Sequence, residues 1–342
     1  MSTKLKRLNI NSALEKFKQN KYYYILPGIS TRHLFSNEKV NIFLQEGISH
    51  SVRFWGEFEL NESTLFITTL PWDHPHETFS SFAKIISETQ PIGEKALNCF
   101  LICCNSHREF INARKAGFKR AILCNQNVFI DDEIFKIDEN EKKIYSLVLN
   151  TRPEKWKRPY FAENIKDLAI IKGHNFHPNL YFDLNGLSPS FINENRLSCQ
   201  EVCSVLNKSH VGGIFSEIEG ACYSSSEFIL SGLPVISTPC MGGREIYYNS
   251  DNHLIVNNPS EVQDALNELM ERFKKHPELR NTIRKQHISL SSQMLKTLFA
   301  EVNKFMVECD CQISFGEIYK KSYKHKMIVY NHPSLKKLCN LQ

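Results

Sequence analysis

The 342-residue sequence contains no run of the eighteen or so consecutive apolar residues that a membrane-crossing helix requires. It has no internal repeat of fixed period and no low-complexity tract, which excludes solenoids and fibrous arrays. A strong charge of one sign is also missing. Forty-two Lys and Arg against 37 Asp and Glu leave a dispersed +5, too little for a dedicated nucleic-acid binder. Cysteine spacing is irregular: there are eleven, an odd number, with Cys103 and Cys104 adjacent and Cys99 in the same apolar segment. That argues against a disulfide framework and for buried free thiols in a reducing, cytoplasmic compartment. The early residues Lys4, Lys6 and Arg7 are basic, but the apolar run at 22–26 is too short and too far along for a signal-peptide core.

The composition is that of a folded protein, with 42% apolar and 23% charged residues, 23 Phe and 12 Tyr, which excludes general disorder. At roughly 150 residues per domain the length suggests two domains. Short apolar runs alternate with amphipathic stretches, the grammar of an α/β protein with parallel sheets. In the first half strands are expected at 22–26, 51–55, 64–70, 97–104 and 120–124, and helices at 36–45, 77–89 and 108–116. The charged stretch 136–143 (KIDENEKK) reads as a linker. Beyond it strands are expected at 144–149, 179–183, 211–216, 234–237 and 253–256, and helices at 159–169, 198–206, 223–231 and 261–275. The fold class implied is two Rossmann-like domains facing each other across a cleft, where nucleotide-bearing ligands usually bind.

Residues 212–256 (GGIFSEIEGACYSSSEFILSGLPVISTPCMGGREIYYNSDNHLIV) carry the clearest chemistry. Glu217, Glu219 and Gly220 follow a buried strand, at the end where ligands bind in open α/β sheets. Small residues Gly220, Ala221 and Cys222 precede a helix starting near Tyr223, whose free N–H groups offer an anion site. Glu227 lies eight positions after Glu219, so both carboxylates can face one cleft. Gly232-Leu233-Pro234 ends the helix and starts the strand PVIST, and Gly242-Gly243 permits a second close backbone approach.

This arrangement resembles the C-terminal domain of retaining GT-B glycosyltransferases, family 4 in particular. Their pattern is Glu, seven residues, Glu, with Gly after the first Glu and a Gly-x-Pro-Val strand after the second; Glu219-Gly220, Glu227 and Gly232-Leu233-Pro234-Val235 match it. The resemblance implies that Glu219 contacts hydroxyls of a donor sugar and that Glu227 bonds the nucleotide ribose. It also implies that the amides of Gly220, Ala221, Cys222 and Tyr223 hold the diphosphate. The family's Arg and Lys clamp on that diphosphate falls at Arg152 and Lys157, with Lys155 and Arg158 as competing candidates. A cationic pair there would neutralise the leaving group.

The first half resembles the family more loosely. Its first Gly-rich loop is reduced to Pro27-Gly28-Ile29-Ser30, with Gly28 as the donor-side residue. A histidine that touches the donor sugar maps to His74, with His76 second, in Pro71-Trp72-Asp73-His74-Pro75-His76-Glu77. The late Gly-Gly-x-x-Glu motif is one residue shorter here, Gly242-Gly243-Arg244-Glu245. The implied domains are 1–140 on the acceptor side, 141–300 on the nucleotide-sugar side, and a helical, basic tail at 301–342.

The expectation is therefore a retaining, metal-independent hexosyltransferase-type enzyme with no cofactor beyond the nucleotide-sugar co-substrate. It would serve a glycan or lipid-linked acceptor in surface polysaccharide biosynthesis. The Asp-x-Asp metal motif of the other main glycosyltransferase fold is absent, and no metal ligand is assigned. Cys309-x-Cys311 with Cys339 and His332 matches no common zinc spacing. Cys199 and Cys203 fall on one helix face and read as core packing. Lys320, Lys321, Lys324, Lys326, Lys336 and Lys337, interleaved with tyrosines, suit a solvated face or a weak anchor at the inner face of an anionic membrane. Alternatives on the same fold are a nucleotide-sugar epimerase, a glycan phosphorylase, or a catalytically idle scaffold.

Overall fold

The computed structural model describes residues 8–9, 31–48 and 58–321. The chain divides into two compact units, Met1–Phe129 with Gln293–Gln342, and Ile130–Ser292. These divisions stand beside expected boundaries at 140/141 and 300/301, and residues 293–342 group with the first unit. Gly28, the strands expected at 22–26 and 51–55, and the tail from 322 onward lie outside the described residues.

The first unit holds β1 (Leu8–Asn9), β2 (Thr31–Ser36), β3 (Asn41–Glu46), β4 (Phe58–Glu59), β5 (Thr64–Thr69), β6 (Phe100–Cys104) and β7 (Arg120–Leu123). Its main sheet has the order β2-β3-β5-β6-β7, parallel except for the β2–β3 pair, and β1 pairs with β4. Helices α1 (His76–Thr89) and α2 (His107–Lys115) follow β5 and β6. A core of Phe43, Phe66, Phe79, Phe100 and Phe118 fills one side of the sheet.

The helix expected at 36–45 is instead the turn and strand of a hairpin. Asn37 Oδ1 accepts the N–H groups of Lys39 and Val40, both at 2.9 Å, which closes the turn. The following Asn-Ile-Phe-Leu-Gln is buried throughout between β2 and β5. A wholly buried run carries no 3.6-residue signature, so its length and neighbours decide its type.

The second unit is a six-stranded, fully parallel sheet of β8 (Tyr145–Thr151), β9 (Leu168–Lys172), β10 (Phe191–Ile192), β11 (Ser209–Ile214), β12 (Val235–Ser237) and β13 (His253–Ile255). Its order is β10-β9-β8-β11-β12-β13, which within the unit is 3-2-1-4-5-6, the doubly wound Rossmann arrangement. Strand residues alternate between two cores. Val148, Ala169 and Ile171 face one, and Leu147, Leu149, Leu168 and Ile170 the other, so both sheet faces are covered. The helices are α3 (Cys199–Asn207), α4 (Tyr223–Leu230) and α5 (Val262–Lys275). Gly212 lets α4 press onto β11, since a Cβ there would meet the Phe228 ring at 2.2 Å. A 30-residue helix, α6 (Leu279–Glu308), contains the passage from the second unit back to the first, and α7 (Phe315–Lys321) ends the described chain. Among the described residues no helix is long and apolar enough to cross a membrane.

Three further expectations change. The helix expected at 159–169 is a single 3-10 turn, Pro159–Ala162, followed by β9. The strand expected at 179–183 is the exposed 3-10 turn Pro178–Leu180 with one bridge between Glu154 and Tyr181, because it has no covering layer. On α3, Cys203 is buried but Cys199 is exposed, so the pair is not shared core packing.

Candidate functional site

In a sheet of order 3-2-1-4-5-6 the loops after the first and fourth strands part at the switch point, leaving a crevice at their carboxyl ends. Here those strands are β8 and β11, adjacent in the sheet. The segment after β8 carries Arg152 and Lys157; the segment after β11 carries Glu219 and leads into α4. Sheet topology thus brings together residues more than sixty positions apart.

The loop after β11 is stitched to the one after β12. Glu219 N–H donates to Met241 C=O at 3.0 Å, Met241 N–H to Glu217 C=O at 2.9 Å, and Gly243 N–H to Gly220 C=O at 2.8 Å. Gly242 makes this approach possible: its φ is +136°, and a Cβ would lie 1.9 Å from the Glu219 carbonyl oxygen. The Glu219 side chain, with the residue only 7% exposed, forms an ion pair with the Lys157 ammonium and accepts the Ser216 hydroxyl at 2.7 Å.

Lys157 sits on a 3-10 turn, Lys155–Lys157, with its ammonium 4.2 Å from the Trp156 ring centroid. Arg152 lies 5.2 Å from the same ring and pairs with Glu154 at 3.2 Å, while the Trp156 indole N–H donates to Glu154 Oε2 at 2.8 Å. One buried carboxylate and one indole therefore hold both members of the expected cationic pair. The competitors separate from them. Arg158, in left-handed conformation at φ 49°, donates to Phe215 C=O and to Thr238 Oγ1 at 2.6 Å, and pairs with Glu217 at 3.1 Å. That binds the loops to each other. Lys155 is exposed.

At the α4 N-terminus Cys222 adopts φ 56°, and no side chain caps the helix. Burial pushes the Cys222 thiol up to about 12, with Glu219 adding to the shift. Neutral at physiological pH, it is no nucleophile. One turn on, Glu227 Oε2 accepts the Asn150 side-chain N–H at 2.7 Å, and the Ser224 hydroxyl donates to Asn150 C=O at 2.9 Å. Burial raises Glu227 to about 7, opposed by the Asn150 bond. Ala221 is buried, and the amides of 220–223 follow the loop into the helix.

Two hollows open beside these groups. A small one of about 30 Å³ touches Asn150, Lys157, Ser216, Glu219 and Ser224. A larger one of about 230 Å³ is lined by Asn150, Arg152, Lys172, His174 and Arg196. Asn150 borders both. Sequence reasoning missed Asn150, Ser216, Glu154 and Trp156. The available signal was a polar residue closing each apolar strand, Asn150 in β8 and Ser216 just after β11.

The histidines lie in the first unit. His74 N–H donates to Glu109 Oε1 at 3.1 Å, and Asn105 N–H to Glu109 Oε2 at 2.7 Å, fixing the loop after β5 to the start of α2. Burial raises Glu109 to about 8 against those two bonds. The His74 ring meets Phe79 edge-on at 5.9 Å, and its Nε2 is buried without a hydrogen-bond partner among the described residues. Burial lowers His74, opposed by Asp73. His76 places Nε2 3.1 Å from the Ser80 hydroxyl.

No known family profile matches the chain, and no curated protein matches it. Solved structures do. TarM aligns with a TM-score of 0.55 at 12% identity, over 77% of this chain and 54% of TarM, so the chain spans about half of that protein's length. HepE of Anabaena, solved with UDP, aligns at 0.50 and 12% identity, over 75% of this chain and 81% of HepE. The pneumococcal O-GlcNAc transferase GtfA, solved with UDP and GlcNAc, aligns at 0.50 and 11% identity, over 75% of this chain and 55% of GtfA. At these identities the likeness is one of fold. The chain has the α/β, GT-B type of fold of these glycosyltransferases, with two Rossmann-like units.

Proposed function

We propose that the protein is a glycosyltransferase that takes its sugar from a nucleoside diphosphate donor, with retention at the anomeric carbon. The observation that carries this reading is the convergence, at the β8/β11 switch point, of Lys157, Glu219, the α4 N-terminus and Glu227 held by Asn150. A departing diphosphate needs positive charge already in place. Lys157, Arg152 and the positive end of the α4 dipole supply it without demanding a metal ion. Glu219 is suited to accept sugar hydroxyls, and Glu227 to accept ribose hydroxyls. His74 is the first candidate, and His76 the second, for a histidine contact to the donor sugar. No covalent protein nucleophile is assigned.

The acceptor is a glycan or lipid-linked saccharide in cytoplasmic assembly of a surface polysaccharide, with peripheral contact to the membrane. Uridine diphosphate sugars are the first donors to test, since structural neighbours were captured with UDP. The test is a thermal-shift screen against UDP-, GDP-, ADP- and CMP-sugars and the free nucleotides. A ligand at about 100 times its dissociation constant adds roughly 2.7 kcal/mol of stability. A shift from one nucleotide class that disappears in Glu227→Ala supports the reading. No shift from any class returns the protein to an idle GT-B scaffold, and product analysis separates a transferase from an epimerase or a phosphorylase.

A further inference from the structure

Among the described residues, the bulkiest side chain wholly removed from solvent is a cation. Arg244 is 0% exposed, and it occupies the shortened Gly-Gly-Arg-Glu turn between β12 and β13. Its Nη1 donates to the Ser216 carbonyl at 3.2 Å and to the Ser216 hydroxyl at 3.0 Å, and its Nη2 donates to the Thr238 carbonyl. Among the described residues no carboxylate pairs with it directly. The titratable groups it influences are Cys222, Cys240, Tyr248 and His253. Burial, the leading cause in each case, holds the two thiols and the phenol high and His253 low, so all four are neutral near pH 7. A buried guanidinium among neutral groups is costly unless an anion answers it.

The anion is one hydroxyl away. Ser216 Oγ accepts from Arg244 Nη1 and donates to Glu219 Oε1 at 2.7 Å, on the same carboxylate oxygen that Lys157 engages. Glu219 therefore has two cationic supports of different kinds. Lys157 reaches it from a turn bordering the small hollow, with its ammonium also against the Trp156 ring. Arg244 is fixed by two backbone carbonyls and has no exposed surface with which to reach a ligand.

We propose that Arg244, acting through Ser216, holds the Glu219 carboxylate in the orientation that grips the hydroxyls of a donor sugar. The inference rests on the nucleotide-sugar reading of the same site. Without this support, Glu219 would keep Lys157 as its charge partner but lose the second anchor that fixes its direction. Arg244 and Ser216 are thus positioning residues that do not touch the donor themselves.

The experiment compares two affinities by titration calorimetry: that of the best-binding nucleotide-sugar from the four-class panel, and that of its free nucleoside diphosphate. Ser216→Ala and Arg244→Met should weaken the nucleotide-sugar about tenfold, the worth of one bond to a charged group, while changing the free diphosphate by no more than about twofold. Arg244→Lys should recover part of the loss. A merely structural role would weaken both ligands together or neither, and either result overturns the proposal. If Arg244→Met does not fold, Ser216→Ala decides, because it deletes the bridging hydroxyl and leaves both backbone carbonyl bonds of Arg244. A wild-type protein that binds no nucleotide of the panel defeats the donor reading and this inference with it. A wild type that binds, with variants that keep the preference for the sugar, defeats the inference alone.

Discussion

Asn150 closes β8 by donating its side-chain N–H to Glu227 Oε2 at 2.7 Å, across the sheet-to-helix junction. Through this bond the end of the first strand of the second unit fixes a carboxylate on the helix that follows the fourth. The helix in return bonds the Asn150 carbonyl through Ser224. One side chain thereby joins the two segments that the switch point brings side by side.

Burial raises Glu227 from its ordinary 4.5 to about 7. Between those values the folded chain holds a proton that the unfolded chain has released, so stability falls as pH rises through the window. Glu227→Gln should therefore gain more thermal stability over wild type at pH 8 than at pH 5. Melting curves at the two pH values check this, and equal differences would contradict the assignment.

The Lys157–Glu219 pair is nearly enclosed, with side-chain exposures of 15% and 9%. Lys157→Met should cost roughly 2 to 3 kcal/mol by leaving the carboxylate short of a partner, and adding Glu219→Gln should return part of that. Urea denaturation of both singles and the double measures the coupling. Additive losses would mean that the pair contributes little.

Gly242 offers a sharper structural test. A methyl group there would collide with the Glu219 carbonyl, and the positive φ adds strain. Gly242→Ala should lose roughly 3 kcal/mol and donor binding together. A variant of wild-type stability and affinity would show that the seam between the two loops opens freely.

His74 and His76 are separable by substitution once a transfer assay is in hand. His74→Ala should lower kcat about tenfold or more, and His76→Ala should stay within about threefold. The reverse ranking would move the role to His76, whose ring bonds Ser80 in place of lying against Phe79.

Much of the second unit could be read in advance, because motif and topology are local there. Gly220, Gly232 and Pro234 punctuate the chain where loop, helix end and strand change. Elsewhere, long-range burial decided. Residues 41–46 are a central strand only because β2 and β5 flank them, and 168–172 a strand only because β8 and β10 do. Among the candidate site residues, Glu219 stood out by its charge beside Gly220, and Arg152 and Lys157 by theirs in the loop after an apolar strand. Asn150 and Ser216 were hidden because a neutral polar residue at a strand end looks the same whether or not a carboxylate lies across from it. Arg244 was visible as a shortened motif, but its burial follows from packing that no spacing reveals.

Trp156 is one of three tryptophans in the chain, with Trp55 and Trp72, and the only one belonging to the second unit. Its indole lies against the two cations expected to meet the donor phosphates. The protein thus carries its own fluorophore at the site. In a background with Trp55 and Trp72 replaced by phenylalanine, any ligand that pulls Lys157 or Arg152 off the ring would register as a change in emission, and the occupancy of the site could be followed in real time without a label.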